Sequence, residues 1–470
     1  MQIIHEQVGL VKQVLRKQKP TNKPLRKMYY VLRQEVEGKV LLYNSITHEL
    51  ILLTPDEDRD VLASGELYEK WFVVPEDFNE REFSDQLRDL ARMVKRKTEG
   101  IDNYTIFTTM DCNARCFYCY ETGRPRVPMS ESVAHRTAQF ITEHHRKEVK
   151  LGWFGGEPLF NQSVIDIIVA DLRKAGVSYY STMISNAYLF TPELVERAKT
   201  VWKLKDIQIT LDGTEKVYNR AKAYIYPGNA FARVLDNIGL LLDAGVKVAV
   251  RLNADLYNID DLNKLVDQLY DRFGRHPLLS VYSHALFERS AGSRNMKRDD
   301  EKRKEIFRRR MKLNGKLFRY GFFMTGARIS NTVRTNSCMA DNDSTVTVLP
   351  TGRLGKCEHY SEDHFIGTLA SDKFDREMVD YFKLRAPLAP ECDTCAYYPE
   401  CLRLKTCVEE DGNCFDVQRK ECIMEMRQKM LNEYAAWLDE RGLLPRTTEE
   451  TGGRKSGSQK GGNPVEAPEA

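Results

Sequence analysis

The order of apolar and polar positions divides the chain into an early part and a longer, repetitive part. In the early part, two strand-like runs, Met28–Val36 and Lys39–Tyr43, flank Glu37-Gly38, which reads as a hairpin turn. A third run, Glu49–Leu53, leads into Thr54-Pro55-Asp56-Glu57. These four residues predict a helix start, with Thr54 as N-cap, Pro55 at the first helical position and Glu57 closing a capping box. Residues 28–98 therefore read as a small α+β unit, preceded by a basic, weakly patterned stretch over 1–27. Such a unit can be a structural cover, or it can dock a peptide, because an exposed strand edge accepts an extended chain.

From residue 104 the period changes. Apolar, β-rich runs at Tyr104–Thr109, Val149–Phe154, Tyr179–Ile184, Ile207–Leu211, Val246–Leu252 and Leu278–Ser283 alternate with helical patterns. Phe231, Val234, Ile238 and Leu241 share one helix face, as do Leu262, Leu265, Val266 and Leu269. Six such alternations predict a parallel sheet with crossover helices, closing as an open or partial (β/α)6 barrel. Chemistry in such sheets sits at the C-terminal strand ends. A charged helical stretch, Asp299–Tyr320, follows, and its Arg308-Arg309-Arg310 run is expected to be a solvated helix face. A helix over 415–440 is expected to close the folded part. The tail from about Thr447 has no apolar periodicity and is expected to be disordered.

Composition narrows the class. A length of 470 residues suggests about three domains. The net charge of +3 argues against a polybasic nucleic-acid binder. No apolar run is long enough to predict a transmembrane helix, and the N-terminus lacks the pattern of a secretory signal, so the expectation is a cytoplasmic protein. The 11 cysteines are unevenly placed: three between Cys112 and Cys119, two apart at Cys338 and Cys357, and six between Cys392 and Cys422. An odd number in such a chain points to metal or redox chemistry rather than a disulfide framework.

The first cluster, Cys112-x3-Cys116-x2-Cys119, follows directly on the first barrel strand, where a loop can wrap an inorganic cluster. Three thiolates are one too few for a closed four-cysteine cluster and leave one iron of a [4Fe–4S] cluster open. A structural zinc site would want a fourth Cys or His nearby, and the nearest downstream histidine is His135. With the aromatic Tyr118 before the last cysteine, this spacing resembles the signature of the radical S-adenosylmethionine (SAM) enzymes. The resemblance implies a cluster whose open iron is chelated by SAM and whose electron cleaves it to a 5′-deoxyadenosyl radical. Further matches follow in order at the predicted strand ends. Gly155-Gly156-Glu157-Pro158 resembles the motif that contacts the SAM amino group. Ser185-Asn186 is similar to the segment that reaches its ribose and carboxylate. Asp212-Gly213 resembles the family's Leu-Asp-Gly turn, and Arg251 and Asn253 end the fifth strand, where the family often has a polar contact to SAM.

The later cysteines resemble the SPASM extension of radical SAM peptide-modifying enzymes, with Gly352-x4-Cys357-Glu358-His359-Tyr360 and Ile366-Gly367-Thr368-Leu369 as flanking matches. The resemblance implies two auxiliary clusters, hence three [4Fe–4S] clusters in all. Cys338, Cys357 and Cys407 would hold auxiliary cluster I. Cys392, Cys395, Cys401 and Cys414 would hold auxiliary cluster II, with Cys422 as the alternative last ligand. Two features depart from the pattern: the spacing from Cys401 to Cys407 is x5 where x3 is usual, and there are two candidates for the last ligand. Taken alone, Cys392-x2-Cys395 and its partners could equally form a zinc ribbon.

The implied architecture is an N-terminal peptide-recognition-like domain over 1–98, winged-helix-like in pattern, a radical SAM partial barrel over 99–325, a SPASM domain over 326–440 and a tail over 441–470. The implied function is maturation of a ribosomally made precursor peptide whose leader the N-terminal domain binds. Hydrogen abstraction from a core residue would lead to an intrapeptide crosslink, a thioether first. An electron donor such as flavodoxin or ferredoxin is the expected second partner, with no nucleic acid and no membrane. The alternatives are formylglycine formation in a sulfatase-type protein and, in another class, a non-enzymatic metal-binding or electron-carrier protein. The sequence identifies no catalytic hydrogen donor.

Overall fold

A computed structural model describes residues 1–401 apart from 8, 37, 97–99, 287–299, 323–332, 337, 360–363, 372 and 386. Cys407, Cys414 and Cys422, the expected helix over 415–440 and the tail lie outside the described residues.

The N-terminal unit contains β1 (Gln2–His5), α1 (Gly9–Val14), β2 (Leu25–Lys27), β3 (Val31–Val36), β4 (Lys39–Asn44), β5 (Leu50–Leu53), α2 (Pro55–Arg59), α3 (Gly65–Glu69), β6 (Val73–Pro75) and α4 (Glu80–Arg96). The hairpin β3–β4 and the capping box at Thr54 and Glu57 form where the sequence places them. The stretch over 1–27 departs from expectation. Its β1 pairs antiparallel with β5, and its β2 pairs with β6, giving a four-stranded sheet in the order β1-β5-β4-β3 beside a two-stranded one. Both partners lie some 50 residues away, beyond the reach of local pattern. Edge strand β3 leaves one side of its backbone unpaired within the sheet.

The main sheet has nine strands. β7 (Asn103–Phe107), β8 (Val149–Phe154), β9 (Tyr179–Ser185), β10 (Leu204–Leu211), β11 (Lys247–Ala254) and β12 (Leu279–Ala285) lie side by side in sequence order, each parallel to the next. They are joined through α5 (Glu131–His144), α6 (Gln162–Lys174), α7 (Pro192–Thr200), α8 (Glu215–Lys222), α9 (Ala230–Asp243) and α10 (Ile259–Phe273), and α11 (Asp300–Arg319) packs on β12. Beyond β7 the sheet continues with β13 (Thr345–Val348), parallel to β7, and then with β14 (Arg353–Gly355) and β15 (Gly367–Thr368), both antiparallel; α12 (Arg376–Tyr381) follows. The expected strands are thus all present, and the cysteine-bearing segment after them extends the same sheet.

Alternation along the strands sorts the two faces. Leu151 and Trp153, Ile207 and Ile209, and Val248 and Val250 enter the core beneath the helices, together with the predicted faces of α9 and α10. The other face carries Thr105, Lys150, Thr182, Gln208, Arg251 and Tyr282, only partly buried, and forms an open, polar trough.

The N-terminal unit is fastened to the segment around Cys392. Met28, Tyr30, Val74 and Leu87 share an apolar cluster with Cys392 and Tyr398. Tyr30 donates its hydroxyl to the Cys392 carbonyl at 2.6 Å. Buried Arg88 of α4 donates to the carbonyls of Tyr398 at 3.2 Å and Pro399 at 3.1 Å and pairs with Asp85 at 3.1 Å. Arg88→Ala should strand these carbonyls and cost about 2 kcal/mol. Hydrogen exchange should then speed up together over 80–96 and 390–400; acceleration confined to α4 would mean that the two segments are not coupled.

Candidate active site

The cysteine loop is shaped by backbone contacts at the C-terminal ends of β7 and β8. Gly156 donates its N–H to the Thr109 carbonyl at 3.0 Å, and Glu157 donates to the Asp111 carbonyl at 2.9 Å. A side chain at Gly155 would meet the Thr109 carbonyl oxygen at 2.2 Å, and one at Gly156 would meet that of Asp111 at 2.3 Å. The pair of glycines is therefore a condition for this approach. The loop returns through Met110 N–H to Val127 and Met129 N–H to Thr108.

Glu157 lies fully buried between the strand ends. It accepts from the Ser185 hydroxyl at 2.7 Å, the Asn186 N–H at 2.8 Å and the Leu159 N–H at 3.2 Å. Burial pushes its carboxyl up to about 7, against the pull of these donors. Pro158 opens a short 3-10 turn, and its carbonyl accepts from Thr108 Oγ1 at 2.9 Å. Asn186 turns to the cysteine loop, donating to Asn113 Oδ1 at 2.6 Å and standing 3.8 Å from Cys112 Sγ.

The third side is electrostatic. Lys222, buried at the end of α8, stands 3.2 Å from Asp212 and donates to the Tyr118 hydroxyl at 2.9 Å. That hydroxyl donates to Asp212 at 2.7 Å. Burial opposes the ammonium charge, yet Asp212, Tyr118 and Cys116 together hold the Lys222 pKa well above the usual lysine value. Asn258 ties the strand ends together, donating to the carbonyls of Asp212 and Asn253 at 2.8 Å each. Arg251 and Asn253, one strand further, bond to each other at 3.1 Å, and Arg251 lies 3.0 Å from His284 Nδ1.

Burial raises all three thiols of the loop, Cys112 to about 12 and Cys119 to about 11, with nearby Glu157 adding to the rise at Cys112. Thiolates here need positive charge, which a bound metal supplies as it displaces the protons. The residues fit an iron–sulfur cluster with SAM. The loop offers three thiols, Lys222 adds a cation beside Cys116, and Asp212 Oδ1 and Asn113 Nδ2 are buried without hydrogen-bond partners. Among the described residues no three His, Cys, Asp or Glu side chains are grouped to hold a single metal ion.

The structure thus gathers Cys112, Cys116, Cys119, Tyr118, Gly155, Gly156, Glu157, Pro158, Ser185, Asn186 and Asp212 at one end of the sheet. Cys338 and Cys357 flank the β13–β14 hairpin, and His359, two residues on, meets the first loop: its ring lies 4.5 Å from that of Tyr120, and its carbonyl accepts from Arg124 at 3.1 Å. A cavity of about 340 Å³ separates the walls, with Thr105, Lys150, Phe154 and Thr182 on one side and Met339, Asn342 and Glu358 on the other. Cys392, Cys395 and Cys401 are not part of this centre, and Cys392 and Cys395 pack against the N-terminal unit. Sequence reasoning missed Lys222, Asn113 and Asn258. Lys222 had a signal: it shares the buried face of α8 with Tyr218 and Ala221, an odd place for a lysine. The expectation for the arginine run needs correction. Arg308 is exposed, but Arg310 is partly buried and donates to Ser283 Oγ at 3.2 Å, because consecutive helical residues face different directions.

Comparison with known proteins agrees with this geometry. Residues 106–269 match the family model described as "Radical SAM superfamily". The mycofactocin maturase MftC of Mycobacterium tuberculosis is 27% identical over 168 residues, 34% of this chain and 41% of the relative. The chain thus spans about two-fifths of the length of the curated relatives it matches. In three dimensions, native anSMEcpe with bound AdoMet superposes with a TM-score of 0.55 at 14% identity, covering 72% of this chain and 99% of the other. SuiB of Streptococcus suis bound to S-adenosylmethionine gives 0.50 at 13% identity over 80% and 94%. At these identities the two structures establish a shared fold. Within that fold, residues 106–269 are a domain of the radical SAM superfamily.

Proposed function

We propose that the protein is a radical SAM enzyme that modifies a ribosomally made precursor peptide by forming an intrapeptide crosslink, with a thioether to cysteine as the first choice. One observation carries the reading. The cysteine loop stands at the end of an open polar trough, and the facing wall of the adjoining cavity belongs to the segment that bears Cys338 and Cys357. An extended peptide fits such a trough, and its cysteine would lie between two metal-binding elements. MftC, named a maturase, and anSMEcpe, solved with AdoMet and the Kp18Cys peptide, are consistent with a peptide substrate.

Cys112, Cys116 and Cys119 would hold the first [4Fe–4S] cluster. The Gly155-Gly156 backbone, Glu157 and Asn186 would line the amino end of SAM, and Arg251 and Asn253 would contact it further along the strand ends. When bound, the cluster and SAM supply a 5′-deoxyadenosyl radical. The chain's own part is to hold the thiolates, exclude water and present the peptide. Lys222 and Asp212 keep the charge balanced where the thiolates gather. Cys338, Cys357 and Cys407 would hold auxiliary cluster I, and Cys392, Cys395, Cys401 and Cys414 or Cys422 would hold auxiliary cluster II, in a SPASM-type domain. The unit over 1–98 would bind the leader, with β3 as the free edge. A flavodoxin or ferredoxin would supply electrons.

The test is anaerobic reconstitution with iron and sulfide, followed by SAM and dithionite. About twelve irons per chain and formation of 5′-deoxyadenosine are expected; zinc without cleavage would overturn the reading. Replacing Cys112, Cys116 and Cys119 by Ala should abolish cleavage and leave about eight irons. Cleavage that persists would remove these cysteines from the site. Lys222→Met leaves Asp212 buried and unpaired, so it should destabilise the domain by about 3–5 kcal/mol. Adding Asp212→Asn should recover much of that loss in a denaturant titration; an additive double variant would show that the pair does not interact.

A further inference from the structure

Exposed apolar side chains gather around the cysteine loop. Phe117 lies between Cys116 and Tyr118, yet its side chain is 62% exposed. Its ring packs edge-on against that of Tyr257, also exposed, with the centroids 5.5 Å apart. Exposed Ile225 is tied to the same loop, because its N–H donates to the Asn113 carbonyl at 2.9 Å. None of the three enters the main core. The loop takes its shape from backbone bonds instead, so folding does not account for an aromatic pair left in water here. Such a patch marks an interaction surface.

The charges beside it are mostly basic. Arg115 and Arg126, both exposed, stand 3.7 Å from a single carboxylate, Asp111, which leaves a surplus of positive charge at the loop. The Arg115 N–H donates to the carbonyls of Lys222 at 2.8 Å and Ala223 at 3.2 Å, so the end of α8 and the loop form one surface. On α8, Lys216 and Arg220 are exposed against Glu215 alone, and Arg220 forms no ion pair among the described residues. An apolar centre with an arginine-rich rim suits a partner whose own surface is acidic.

We propose that this face, with Phe117 and Tyr257 at its centre and the arginines around them, docks an acidic electron-carrier protein that presents the edge of a flavin mononucleotide. The inference rests on the radical SAM reading above and gives its electron donor a place on the surface. Phe117 is the chain neighbour of Cys116, so a carrier seated on it stands one residue from a thiol that would hold the cluster. The dimethylbenzene edge of a flavin is flat and apolar and suits an aromatic pair. Carboxylates around that edge would meet the arginine rim, which steers the encounter. Electron-transfer complexes bury little area, so a small patch suffices. The carrier is oxidised by one electron, which the cluster accepts, and no bond is made or broken. A second copy of this chain, docked face to face here, would bring like charges together.

The test uses the full chain, reconstituted anaerobically with iron and sulfide, with SAM present. The probe is a purified bacterial flavodoxin. Affinity is read by titration calorimetry with its oxidised form, and electron delivery by the bleaching of the cluster absorbance on mixing with its reduced form. Dithionite replaces flavodoxin in a parallel reaction. The wild type should bind, and more weakly as salt is raised. Phe117→Ser and Arg220→Glu should each weaken binding and slow the bleaching about tenfold. Bleaching by dithionite, which needs no docking, should be unchanged in both. Arg173→Glu makes the same charge change on an exposed residue in the last turn of α6, at the opposite end of the sheet, and should bind as the wild type does. No binding by the wild type, or binding that survives both variants, would overturn the surface. An equal loss in Arg173→Glu would make the attraction non-specific and overturn it too. A dithionite reaction slowed in both variants would trace the loss to the loop itself, with the same consequence. Failure of dithionite to bring about SAM cleavage would count against the function proposed above and leave the binding result standing.

Discussion

Two backbone hydrogen bonds, from Gly156 to Thr109 and from Glu157 to Asp111, set the position of the cysteine loop. They bring the end of β8 so close to the chain leaving β7 that a methyl group at either glycine would collide with a carbonyl oxygen. The rest of the centre follows from that approach. With the β8 end fixed, Glu157 is trapped beneath it and can recruit Ser185 and Asn186 from β9. Asn186 then reaches across to Asn113 and Cys112. The end of β7, the cysteine loop and the ends of β8 and β9 are thereby locked into one corner.

Such a corner is electrostatically demanding. It gathers three cysteines and the buried carboxyl groups of Glu157 and Asp212, and burial holds the three thiols and Glu157 back from ionising. Lys222 is the chain's own counterweight. Its ammonium is held charged by Asp212 and Tyr118 and sits close enough to Cys116 to favour the thiolate. A cationic cluster and the sulfonium of SAM fit the remaining deficit of positive charge, which is why the donor set suits that cofactor pair.

Much of the barrel was legible because a parallel sheet covered by helices has strands whose inward residues are uniformly apolar, as in β8, β10 and β11, and the runs found in the sequence match those strands to within a few residues. The residues at the strand ends could be read for the same reason, since the fold fixes where a motif after a strand must lie. The misses share a cause: they depend on pairing across long separations or on side-chain direction. β1 and β2 are too short to announce themselves and gain their identity from β5 and β6. β13 is recognisable as an extension of the sheet only once it lies beside β7. Arg310 was read as part of a charged run, whereas its spacing from Ile306, Leu313 and Leu317 places it on the buried face.

The two later groups of cysteines occupy different mechanical settings, and this bears on what each can do. Cys338 and Cys357 border the central cavity through Met339 and Glu358, and His359 packs on Tyr120 of the first loop. That segment is therefore in direct contact with the first cysteine loop. Cys392 and Cys395 lie instead in short 3-10 turns packed on Tyr30, Leu87 and Arg88. The backbone N–H groups of those turns bond only locally, as in Cys392 N–H to the Ala389 carbonyl at 3.0 Å and Tyr398 N–H to the Cys395 carbonyl at 2.8 Å, so their place in the fold comes from packing on the N-terminal unit. The open edge of β3 belongs to the same unit. A chain built this way ties the N-terminal unit to the outer cysteine group and the first cysteine loop to the inner one, with the continuous nine-stranded sheet as the frame that carries the inner pair.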